Sequence, residues 1–131
     1  MHINSLSLPW TLDKRLIQIL NDELESAGID DDVCLTFNDP DFTPQAGGFH
    51  PVEVAVKNDG SIMYITDFTY FGEPPHCDLC KCLDFDFSLK IFNHFGMEHP
   101  ISAGREIFKV WQSNFIAYHK LNVYKTILET W

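Results

Sequence analysis

The densest run of chemistry-bearing side chains is His76-Cys77-Asp78-Leu79-Cys80-Lys81-Cys82. Thiolates two and three residues apart can turn around one soft ion, and His76 could add a fourth donor, so Cys77, Cys80, Cys82 and His76 are the candidate zinc ligands. A structural zinc site normally draws a second Cys or His pair from a distant segment, and ligands this close in sequence crowd one ion. Reduced thiols in a connecting segment are therefore the favoured reading. A redox pair at Cys77 and Cys80 is less favoured still. Such motifs lower the thiol pKa at a helix N-terminus after a parallel strand, whereas Pro74-Pro75 here predicts a rigid loop in an antiparallel setting.

A second candidate set is acidic. Asp84 and Asp86 alternate along a strand and would project from one face roughly 6–7 Å apart. Glu53 and Asp67 are expected on neighbouring strands, and together the four could serve acid/base or divalent-metal chemistry. With His50 as general base, Asp84 and Asp86 describe a metal-dependent hydrolase. No Gly-x-Ser-x-Gly elbow and no phosphate loop accompanies them, so a solvated sheet face and a hydrogen-bonded structural His50 are the favoured readings. Asp30, Asp31, Asp32, Asp39 and Asp41 lack the spacing of a calcium loop. Gln112 and Asn114 fall beside an apolar helical stripe and are expected to be exposed, which makes them candidate binding residues.

The elements that must position these groups follow from periodicity. Leu12, Leu16, Ile19, Leu20 and Leu24 recur at helical spacing, predicting a helix from Leu12 to Ala27 with Thr11 at its start and Gly28 at its end. Val33 to Phe37 reads as a strand. Asn38-Asp39-Pro40-Asp41 and Pro44 to Gly48 form a loop. Val52, Val54 and Val56 share a face with His50, Asn58-Asp59-Gly60 turns the chain, and Ile62 to Tyr70 returns antiparallel. Leu83, Phe85, Phe87 and Leu89 alternate with Asp84, Asp86, Ser88 and Lys90 as another strand. Ile107, Val110, Trp111, Phe115 and Tyr118 lie along one stripe of a helix over Ser102 to Leu121, and Val123 to Trp131 closes the chain as a strand. The order predicts an α+β domain, one unit over residues 1–131, in which a twisted antiparallel sheet is flanked by N-terminal and C-terminal helices.

Composition narrows the function classes. The 131 residues are 45% hydrophobic and include eleven Phe, enough for one core and too apolar for a disordered chain. A net charge of −10 with only nine Lys and Arg argues against direct nucleic-acid or membrane binding and for steering of basic partners. No apolar run approaches a membrane span and the first residues lack the features of a secretory signal, so a cytoplasmic location is expected.

Four segments carry a resemblance: Phe37-Asn38-Asp39-Pro40 running on to Gly47-Gly48-Phe49-His50-Pro51-Val52-Glu53, Tyr64-Ile65-Thr66-Asp67-Phe68, Asp84-Phe85-Asp86-Phe87, and Trp111-Gln112-Ser113-Asn114-Phe115. In this order, over about residues 33 to 125, they resemble the bacterial domain-of-unknown-function family numbered 2787. That family is similar in fold to the acidic mitochondrial glycoprotein family, whose members are oligomeric acidic binding proteins. The resemblance and the charge imply an acidic binding or adaptor protein without catalysis, engaging a protein partner of basic character and open to self-association. An acidic DNA mimic of a mobile element, of anti-restriction type, is the alternative, and a metal-dependent hydrolase the third reading.

Overall fold

The structure, a computed structural model, describes residues 1–73 and 75–131. Pro74, half of the Pro74-Pro75 pair read above as a rigid loop, lies outside them. The first helix, α1, spans Lys14–Ala27 and buries Leu16, Leu20 and Leu24, one per turn. Asp13, not Thr11, caps it: its extended backbone lets a carboxylate oxygen accept the Arg15 N–H at 2.8 Å. A carboxylate at that position also meets the Arg15 guanidinium at 2.9 Å, which a threonine could not do. Gly28 ends the helix at φ 64°, donating its N–H to the carbonyls of Leu24 and Glu25.

Among the described residues seven strands follow, six before the second helix and one after it: β1 (Val33–Asn38), β2 (Val52–Val56), β3 (Ile62–Phe71), β4 (Asp78–Asp86), β5 (Ile91–His94), β6 (Met97–Pro100), then a 3₁₀ turn (Ile101–Gly104), α2 (Arg105–Lys120) and β7 (Lys125–Thr130). They form one open antiparallel sheet in the order β6-β5-β4-β3-β2-β1-β7. The α+β class and the two flanking helices expected from the sequence are what the chain adopts. The β5–β6 hairpin was not anticipated, because its strands are short and its apolar residues few.

Register explains the single core. Phe37 pairs with Val52, Leu35 with Val54, Val54 with Ile65, Ile65 with Phe85, and Phe85 with Phe92. With a side-chain period of two, this alignment puts every one of these apolar residues on one face, and both helices bury their stripes in the same cluster. Phe37, Phe85 and Phe92 are fully buried, each worth about 2–3 kcal/mol of transfer free energy. Gly104 lets the start of α2 settle on β5, since a Cβ there would stand 2.8 Å from the Phe92 ring.

Three expectations need correction. Leu89 does not continue the apolar face; β4 ends at Asp86 and Leu89, in the turn that follows, is 67% exposed. The Cys-rich stretch is not a connecting segment beyond Cys77, because Cys80 and Cys82 belong to β4. Val110 leaves the core stripe of α2 at 63% exposed, while Phe108 and Ile116 take buried places on it. α2 is rotated so that one flank of its stripe overhangs the sheet instead of pressing on it.

β4 carries an irregularity with consequences for function. Asp67 pairs with Leu83, yet the next residue, Phe68, pairs with Lys81. Cys82 is the extra residue of a β-bulge, and bulges re-aim the side chains beside them.

Candidate functional site

The overhang of α2 opens a cleft of about 650 Å³ between that helix and the sheet. Its walls come from separated parts of the chain. Gly48, Phe49 and His50 arrive from the loop before β2, Asp67 from β3, Cys82 and Leu83 from β4, Tyr124 from just before β7, and α2 contributes Glu106, Ile107, Val110, Trp111, Asn114, Phe115 and Tyr118.

The loop owes its shape to Asp39. One carboxylate oxygen accepts the Asp41 N–H at 2.9 Å and the other the Phe49 N–H at 3.0 Å. Gly48 turns the chain at φ 135°, where an added Cβ would sit 2.8 Å from the same Asp39 oxygen. The Asn38-Asp39 and Gly47-Gly48 pairs thus hold Phe49 and His50 at the cleft. Phe49 packs on Tyr118 with ring centroids 4.6 Å apart, and Phe42 packs on His50 at 5.6 Å.

Asp67 is the polar centre. It is buried on the helix-facing side of the sheet, in line with Val52 and Leu83. His50 Nδ1–H donates to its Oδ1 at 2.7 Å and Trp111 Nε1–H to its Oδ2 at 3.1 Å. The hydrogen bond to Asp67 raises the His50 pKa above 6.5, outweighing the opposite effect of partial burial. Trp111 in turn stacks on Phe115 at 5.2 Å and 15° between planes, so the donor is held by the core. Burial, and then the Asp67 charge, push the Cys82 thiol up to about 11, which keeps it protonated at neutral pH. The Tyr124 hydroxyl is likewise raised, by burial first and then by Asp67, Tyr118 and Asp39. The cleft is aromatic and apolar with one hydrogen-bonded acid–imidazole pair, a composition suited to holding a partly apolar ligand.

The candidate residues of the sequence divide between two faces. His50, Asp67, Cys82 and Asn114 meet at the cleft. Glu53, Asp84 and Asp86 lie on the opposite face, where Glu53 and Asp84 flank Thr66 and Asp86 pairs with Tyr64. The four carboxylates are therefore not one set, and a hydrolase site built from Asp84, Asp86 and His50 spans both sides of the sheet. Asp84 is not solvated as expected: it is 7% exposed and accepts the Thr66 hydroxyl at 2.8 Å. Its pKa is raised because burial penalises the charged form more than Thr66 and Lys81 favour it. Glu53 accepts the Tyr64 hydroxyl at 3.0 Å. Gln112, expected to be exposed, is 9% exposed; its Oε1 accepts the Asp13 N–H at 2.8 Å and ties α2 to the start of α1. Of the candidate zinc ligands, His76 is exposed, Cys77 Sγ faces the Gly72 carbonyl at 3.7 Å, and Cys80 lies further along β4. Among the described residues these three do not gather with Cys82 around one point, whereas His50, Asp67 and Cys82 each offer one atom within 4.8 Å of the others.

Sequence reasoning took Trp111 as core alone and did not foresee Tyr118, Tyr124, Ile107 or Val110 as cleft walls. The signal was available in the quoted segments: three of the four that carry the family resemblance place residues in this one cleft, namely Gly48-Phe49-His50, Asp67, and Trp111 with Asn114 and Phe115.

The model of a family described as protein of unknown function (DUF2787) matches residues 11–129. The chain belongs to the DUF2787 family. Among solved structures, this DUF2787 chain is similar to the hypothetical protein VC0508 from the VSP-II pathogenicity island of Vibrio cholerae, with 31% identity, TM-score 0.81, and 98% of this chain and 99% of that one covered. It is also similar to the conserved hypothetical protein VC1805 from pathogenicity island VPI-2 of Vibrio cholerae, with 33% identity, TM-score 0.78, and coverage of 94% and 96%. VC1805 is described as sharing structural homology with the human P32 protein, which has the fold of the acidic mitochondrial glycoprotein family. Comparison with curated proteins gives no match. Among the described residues no helix of this DUF2787 chain is long and apolar enough to cross a membrane.

Proposed function

We propose that this chain is an acidic binding protein that acts as an adaptor, and that the cleft beside α2 receives an apolar side chain of a basic protein partner. The observation that carries this reading is the convergence of the family-bearing segments on a cleft walled by exposed apolar surface. Val110 at 63% exposed is anomalous for a helix that otherwise buries its stripe, and such patches mark binding surfaces. A net charge of −10 steers basic partners to the body, and burial in the cleft then supplies the part of the affinity that salt does not screen. The DNA-mimic alternative asks for a long double row of exposed carboxylates. The open sheet face carries Glu53, Asp84, Asp86, Glu98 and Glu129, dispersed over four strands with Asp84 buried and hydrogen-bonded, which is not a long double row, so the adaptor reading has the better support. Association with further copies is compatible with this role.

The test is capture with tagged protein from a native bacterial extract at about 0.1 M and about 0.3 M salt, comparing wild type with Val110→Asp and Ile107→Asp. A stoichiometric partner should survive the higher salt and be lost on Val110→Asp without change in melting temperature, since that side chain makes little of the core. Retention of the same partner by both variants would move the binding surface away from the cleft.

A further inference from the structure

We propose that His50, Asp67 and Cys82 bind one zinc-class divalent ion at the floor of the cleft. The three donors come from the loop before β2, from β3 and from β4, and each presents an atom within 4.8 Å of the other two. An imidazole, a carboxylate and a thiol together select a borderline transition metal over calcium or magnesium, which take oxygen donors alone. Tetrahedral zinc held by three protein side chains keeps one position free, and all three side chains line the cleft.

Two features are those of a built site. The bulge at Cys82 interrupts the β3–β4 ladder, so that both Cys82 and its neighbour Leu83 reach the cleft. In a regular strand consecutive residues point to opposite faces, and Cys82 would lie on the far side with Asp84. Trp111 Nε1–H occupies Asp67 Oδ2 at 3.1 Å, leaving Oδ1 to act with His50, in the manner of outer hydrogen bonds that orient metal-binding carboxylates.

Binding exchanges protons for bonds without oxidation or reduction. The Cys82 thiol proton passes to solvent. A neutral His50 ring keeps its one proton on the nitrogen that does not bind the ion, and a ring protonated at both nitrogens gives one proton to solvent. Metal–sulfur, metal–nitrogen and metal–oxygen bonds form. The 2.7 Å gap between His50 and Asp67 must widen, by about 0.7 Å, because bonds near 2.1 Å hold tetrahedral neighbours about 3.4 Å apart. His50 stands on a loop and is half-exposed, so it has room to move. The ion would sit beneath the proposed partner cleft, yet its presence and the capture of a partner are separately measurable.

The experiment is a titration of chelator-treated full-length protein with Co²⁺ alone, followed by displacement with Zn²⁺. The expected result is saturation at one ion per chain with a near-ultraviolet thiolate-to-cobalt charge-transfer band, removed by Zn²⁺. Cys82→Ser should abolish that band, and Cys77→Ser and Cys80→Ser should keep it. His50→Gln alters a half-exposed side chain and keeps the test valid should Cys82→Ser fold poorly; it should weaken Co²⁺ binding about tenfold or more. Absence of saturable binding, a band that survives Cys82→Ser and disappears in Cys77→Ser or Cys80→Ser, or unchanged affinity in His50→Gln would each overturn the proposal.

Discussion

Trp111→Phe isolates the hydrogen bond that fixes the centre of the cleft. Trp111 is 6% exposed, stacked on Phe115 and packed on Phe108 at 5.5 Å. A phenylalanine ring retains much of that stack while deleting the N–H that donates to Asp67 Oδ2. A hydrogen bond to a buried charged group is worth about 1.5–3 kcal/mol. The smaller ring also withdraws roughly 40 Å² of apolar contact, about 1 kcal/mol. The expected loss is therefore about 2.5–4 kcal/mol, and for a domain of this size a fall in melting temperature of roughly 8–16 °C. Urea unfolding at pH 7, followed by circular dichroism and by the fluorescence of the remaining Trp10 and Trp131, gives the free energy directly. A double-mutant cycle with Asp67→Ala, which removes the acceptor, should show coupling of about 1 kcal/mol or more, because the two side chains share one bond. A loss below about 1 kcal/mol together with additive single changes would refute the assignment of Trp111 as the residue that holds Asp67.

The His50 imidazole should titrate above 6.5 in an NMR experiment, and Asp67→Asn should lower it, since partial burial then acts without the carboxylate's charge-assisted hydrogen bond. A pKa raised on folding means stability that is fully present below 6.5 and is lost as pH rises through the folded value, so Asp67→Asn should flatten that part of the stability profile; an unchanged slope would show that His50 is not its source. Phe85→Ala should cost about 3–5 kcal/mol, because the ring is fully buried against Phe92, Phe108 and Trp111. Asp84→Asn, by contrast, should cost less than about 1 kcal/mol in the same unfolding assay. Asn can still accept from Thr66, and the folded Asp84 holds its proton more tightly than 3.8, so its charge lowers stability as pH rises through that window. Equal losses at Phe85 and Asp84 would contradict the faces assigned to them.

The alternation of Val52, Val54 and Val56 and of Leu83 and Phe85, and the four-residue spacing of Leu16, Leu20 and Leu24, determined the sheet, the first helix and the core without reference to anything distant. Burial of one face is a local instruction: a residue's neighbours at two or four positions report which side it takes. The sequence also carried the family, through short segments whose meaning as a group was invisible in any one of them. What tertiary structure alone decided is the site. Asp67 and Asp84 look alike in sequence, both acids on adjacent strands, yet opposite pleats send one to Trp111 and the other to Thr66. Cys82 departs from its strand's alternation because a register shift between β3 and β4 depends on pairing between segments, which no single-strand pattern records. Gln112 is buried because a backbone N–H of Asp13, distant in sequence, arrives to meet it. The rotation of α2, which turns Val110 and Ile107 into cleft wall, follows from how two helices and a sheet share one core. Periodicity specifies that a helix has an apolar side; only packing fixes how far that side is covered.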